Sequence, residues 1–168
     1  MTSQFYLDFI GTLEKERDAY AEMIRLSAGK RDAVVEGDIE GLERVMDGER
    51  EVLAGIAELA AKREEQCGRI AEESGVAEGE ITLSRLIAVF PDEELRARAE
   101  EARQGFIATV KELHRTNEVN RELLEAQLKN ISASLTMFSQ VSQVSGVYGK
   151  DGEMNDEVSR FRMFDTTV

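Results

Sequence analysis

With 168 residues, 33% of them charged, and a net charge of −13, the chain has the length of one strongly acidic domain. That charge excludes a binder of nucleic-acid backbones, which rewards the opposite sign, and a polybasic membrane anchor. One proline, no tryptophan and a single cysteine, Cys67, suit an elongated helical protein of a reducing compartment with no intrachain disulfide.

The opening residues, MTSQFYLDFIGTLEKERD, lack a basic segment followed by a long apolar run, so no secretory signal is expected. No window approaches 18 uninterrupted apolar residues, and no integral membrane segment is expected either. The composition therefore predicts a cytoplasmic protein whose partner is another protein.

Taken in chain order, Leu13, Tyr20, Ile24 and Val34 fall on one line at helical spacing, with Phe5 and Phe9 leading in. They predict an amphipathic helix over about residues 3–36. Gly37-Asp38 breaks it: the glycine can adopt left-handed dihedrals, and the aspartate can accept from the free N–H groups of the next helix. That second helix, 39–74, carries Ile39, Leu42, Met46, Glu49, Leu53, Ile56, Ala60, Arg63, Cys67 and Ile70 in alternating steps of three and four. Such a heptad seam predicts burial against other helices, and the two-residue break predicts an antiparallel hairpin.

Residues 75–80, GVAEGE, read as a loop. Thr82 caps a short helix over about 82–89, with Ile81 and Leu86 placed to staple its entry. Pro91 ends it. Asp92 opens the longest helix, 92–145, with Glu93 and Glu94 in the first turn, where the helix dipole favours them. Some 54 residues would span about 80 Å if continuous, more than two shorter helices can cover, so one end should project. Residues 146–168 read as a flexible tail, although Met154, Val158, Phe161 and Phe164 recur at helical spacing and suit a recognition segment. The expected fold is all-α: an antiparallel helical hairpin packed on a long C-terminal helix as a bundle over 1–145, followed by the tail.

No catalytic constellation emerges. A di-metal bundle needs Glu-x-x-His pairs on two helices, and the chain has one histidine, His114, which reads as a solvated helix residue. Cys67 on the seam reads as a small buried hydrophobe. Gly146–Lys150 lacks the glycine spacing and hydroxyl of a phosphate loop. The 151–155 segment lacks the glycine of a calcium loop. No enzyme activity, cofactor or metal is expected.

Three features remain. Gly41, Gly48 and Gly55 recur every seven residues, each beside a seam position. They let a second backbone approach, either the first helix or a client helix in a groove. Leu124, Leu128, Ile131, Leu135 and Phe138 form an apolar line, with Met137, Val141 and Val144 nearby and six serines and threonines from Ser132 to Ser145 on its polar side. Either the first helix covers this line or it is kept for a partner. Asn117 and Asn120 are carboxamides on a seam between Leu113 and Leu124. Buried amides there penalise shifted registers, so they are expected to fix where the hairpin ends against the long helix.

Four segments, in order, resemble the FlgN family of flagellar type III export chaperones. They are KRDAVVEGDIEGLERVMDGEREVLAGIAEL, EITLSRLIAVFPDEE, LHRTNEVNRELLEAQLKNI with its Asn-x-x-Asn step, and VYGKDGE with its Tyr-Gly-x-x-Gly pattern. The resemblance implies a cytosolic chaperone that holds the C-terminal amphipathic helix of hook–filament junction proteins, prevents premature assembly and delivers them to the membrane export gate. It implies a client site in the C-terminal part, which coincides with the line from Leu124 to Val141, and it makes Tyr148 the candidate contact with the gate. Two other readings stay open: a chaperone of another flagellar client such as the filament cap, and a structural coiled coil that homo-oligomerises. Monomer and homodimer are both compatible with the sequence.

Overall fold

The computed structural model describes residues 2–147, with main chain only for Glu78 and for 140–147. Four α-helices follow one another: α1 Ser3–Glu36, α2 Ile39–Ser74, α3 Leu83–Ala88 and α4 Glu93–Val147, with a short 3-10 turn at Glu78–Glu80. Among the described residues there is no strand, and the fold is all-α. The chain divides into two units, Met1–Glu122 and Leu123–Val168.

The first unit is built on the hairpin. Gly37 ends α1 at φ 71°, a left-handed conformation natural to glycine, and its neighbour Asp38 donates its N–H to the Ala33 carbonyl at 2.9 Å. Asp38 then starts α2 by accepting from the Gly41 N–H at 2.9 Å. A side chain at Gly41 would collide with that carboxylate, so the first glycine of the heptad series serves the cap. Gly75 ends α2 in the same way at φ 70°. Thr82 caps α3 through Arg85, and Asp92 caps α4 by accepting from the N–H groups of Glu94 and Leu95 at 2.7 and 3.2 Å.

The hairpin is antiparallel, with Glu16 facing Arg63 and Lys30 facing Glu49. In the first unit α4 runs parallel to α1, with Tyr20 against Phe106 and Ser27 against Asn117 and Asn120. The core lies at the open end of the hairpin, where Phe9, Ile10 and Leu13 of α1 meet Cys67, Ile70 and Ala71 of α2. Leu86 and Ile87 of α3 and Phe90 just beyond it close it, with Leu95, Ala99 and Ala102 of α4. Phe90 packs against Tyr6 with ring centroids 4.5 Å apart and the planes tilted by 52°, and meets Phe9 edge-on at 5.9 Å. Burying each such side chain contributes roughly 1.5–3 kcal/mol, so this end anchors the unit.

Further along, the interior becomes polar. Glu16 is fully buried and accepts two hydrogen bonds from Arg63, at 2.7 and 3.2 Å, while the guanidinium lies 5.7 Å from the Phe106 ring. Hydrogen bonding to Glu16 raises the Arg63 pKa above the ordinary guanidinium value, so the guanidinium keeps its charge.

The expected α2 seam is buried only in part. Ile56, Cys67 and Ile70 are inside, but Ile39, Met46 and Leu53 are 73%, 42% and 55% exposed. Val45, Val52 and Leu59 are half-buried instead, because α1 occupies a sector of α2 rotated toward those positions, with Val45 beside Leu26, Gly29 and Ala33. Gly48 does face α1, since a side chain there would lie 3.3 Å from the Leu26 methyl, whereas the space beside Gly55 is open.

Candidate functional site

Two groups of residues singled out by the sequence lie on α4, one in each unit. In the first unit, Asn120 is 6% exposed and donates through Nδ2 to the Ser27 main-chain carbonyl at 2.7 Å. Asn117 is exposed and accepts from the Ser27 hydroxyl at 3.3 Å. Both carboxamides thus converge on one residue of α1, and Ser27 is the partner that the sequence did not reveal. A small residue opposite two amides was the available signal. Asn120 is the last buried side chain of α4 among those described, and its Oδ1 has no hydrogen-bond partner. Beside it Asn117, His114, Glu118 and Arg121 line a shallow cleft of about 290 Å³. His114 is exposed, with Glu118 at 3.7 Å.

In the second unit, the apolar line runs along the helix at steps of three and four. Leu128, Ile131, Leu135 and Phe138 are 63%, 55%, 65% and 72% exposed, and Leu124 is exposed as well. Met137 widens the face. Val141 continues the helix, with its side chain outside the described set, and Tyr148 lies outside the described residues.

The flanking hydroxyls are turned back on their own helix. Ser134 and Thr136 donate to the carbonyls of Asn130 and Ser132 at 2.9 Å, and Ser139 donates to that of Thr136 at 2.8 Å. A hydroxyl satisfied by its own helix costs little when a neighbour covers it. The segment 130–149 carries no charged residue in a chain that is otherwise one-third charged. An exposed apolar face with self-satisfied flanks can take up another amphipathic helix without stranding polar groups.

The rest of the described chain offers little chemistry. Burial pushes the Cys67 thiol above the ordinary thiol range, against the opposing pull of Arg63, so at neutral pH it is protonated. Among the described residues, no group of three or more His, Cys, Asp or Glu is placed to hold a metal ion. No helix among them is long and apolar enough to cross a membrane.

The family model described as FlgN protein matches residues 1–156. No curated protein and no solved structure matches the chain. The chain belongs to the FlgN family, a family of flagellar export chaperones.

Proposed function

We propose, from membership of the FlgN family, that this flagellar export chaperone binds the C-terminal amphipathic helix of hook–filament junction proteins in the cytoplasm. Bound there, the client is kept from premature assembly and is delivered to the type III export gate. The observation that carries this reading is the exposed apolar line Leu124, Leu128, Ile131, Leu135 and Phe138, extended in sequence by Val141. Covering each of these side chains would contribute roughly 1.5–3 kcal/mol. Folding the client segment onto the line consumes on the order of 2–5 kcal/mol, so binding is moderate and release is feasible. Asn117 and Asn120 are assigned the register of the hairpin on the long helix, and hence the point at which the client face begins. Tyr148 is assigned contact with the gate.

Calorimetric titration with C-terminal segments of the junction proteins tests the client. One-to-one binding with a negative heat-capacity change, lost in Leu128→Asp plus Ile131→Asp, is the expected result. Absence of binding to the intact protein overturns the client assignment in favour of another export client. For the register, Asn117→Leu plus Asn120→Leu should alter client affinity, and an unchanged affinity together with unchanged helix register removes that role. For the gate, Tyr148→Ala should lower export while client binding stays intact.

A further inference from the structure

Ile39, Met46 and Leu53 stand exactly one heptad apart on α2, and the same line continues through Ala60 to Cys67. At its far end the line is covered: Cys67 is buried in the core beside Leu86 of α3. At Ala60 it enters a cleft of about 500 Å³ lined also by Ala57, Ile81 and Leu83. The first three positions are bare, although each carries a large apolar side chain. A seam that α3 covers at one end and nothing among the described residues covers at the other is an interface lacking its second helix.

We infer that the missing helix is α2 of a second copy, laid antiparallel across a two-fold axis at Met46. The argument is symmetry and charge. A rotation about Met46 carries Ile39 onto Leu53, so the bare stripe is its own complement, as a two-fold interface requires. The flank of the stripe carries Glu43 and Arg50, each four residues beyond a stripe position. The same rotation brings Glu43 to within one residue of the second copy's Arg50, an axial offset of about 1.5 Å. Two opposite-charge pairs therefore form, one on each side of the axis, in the positions that set orientation in helix pairs. Arg50 now pairs with Asp47 of its own helix at 2.6 Å, and both side chains are exposed, so re-pairing across the interface meets little resistance. A parallel arrangement would instead place Glu43 beside the second copy's Asp38 and Arg50 beside its Val45, and would form neither pair. The stripe is short, about 21 Å from Ile39 to Leu53, and each copy carries a net charge of −13. The dimer is accordingly weak and reversible, and it leaves the apolar line of α4 available.

Sedimentation equilibrium of the full chain tests this. The expected result is a monomer–dimer equilibrium that Met46→Asp abolishes without loss of helicity. Glu43→Arg should weaken dimerisation about tenfold by placing arginine against arginine twice. That direction is informative, because the substitution lowers the net negative charge and would favour association if general repulsion alone governed it. Glu43→Arg plus Arg50→Glu restores the wild-type charge and should restore the dimer. A monomer at about 0.5 mM protein overturns the inference. So does a dimer indifferent to all three changes, which must use another face, and so does a dimer that forms only when residues 148–168 are removed, which makes the tail the occupant of the stripe.

Discussion

Asn120 of α4 donates to the main-chain carbonyl of Ser27 on α1 at 2.7 Å, from a position almost closed to solvent. The bond ties the two helices through residues 93 apart in sequence. Its other amide atom, Oδ1, is buried without a partner, so the side chain is not placed for maximum stability. Asn120→Ala should destabilise the protein by about 1–2 kcal/mol through the lost bond and the space left behind. Asn120→Leu should cost less, since it removes the same unpartnered carbonyl but fills the space that alanine leaves empty. Urea denaturation of the two variants compares them, and a larger loss for leucine than for alanine would contradict this account.

The Glu16–Arg63 pair gives a sharper expectation. Arg63→Met leaves a fully buried carboxylate without its partner and should cost about 3–5 kcal/mol. Glu16→Met plus Arg63→Met, which removes both charges, should recover most of that loss. The double-mutant cycle in denaturant measures the coupling. Independent, additive losses would mean that the ion pair does not act as a unit.

The three heptad glycines of α2 should respond differently to alanine. Gly55→Ala meets open space and should stabilise by up to about 1 kcal/mol through helix propensity. Gly48→Ala must displace the Leu26 methyl, offsetting that gain, and should be near neutral. Gly41→Ala collides with the Asp38 cap and should destabilise by about 1 kcal/mol. Thermal unfolding ranks them, and a gain at position 41 would show that the cap is dispensable.

Alkaline pH should weaken the fold. Burial raises the Cys67 thiol and, with the nearby Glu73 and Glu16 charges respectively, the Tyr6 and Tyr20 hydroxyls above their ordinary values. The folded state then holds these protons more tightly than the unfolded chain does. Stability is therefore complete below the unfolded pKa values and declines as pH rises past about 8.5 for the thiol and about 10 for the phenols. Denaturant midpoints from pH 7 to 10.5 follow this directly, and Cys67→Ala should remove the first part of the decline. At pH 8, native Cys67 should react with iodoacetamide at least about tenfold more slowly than in the unfolded chain.

Much of the architecture was legible because its signals are local. Gly37-Asp38, Thr82 and Asp92 mark helix ends through dihedral freedom and side-chain capping, which depend on a few neighbouring residues. The all-α hairpin with a long last helix follows from those marks and the spacing of the apolar residues. The exposed line on α4 was likewise visible as a pattern, although its exposure was not.

What the sequence by itself determined was which sector of each helix is apolar. On α2 that sector is wider than two neighbouring helices can cover, and periodicity is blind to where they lie. Only the tertiary structure decided that Val45, Val52 and Leu59 turn inward while Ile39, Met46 and Leu53 stay outside. It alone brought Glu16 to Arg63 and Ser27 to both asparagines, because such partners are chosen by helix register, and register is settled by the packing of whole faces.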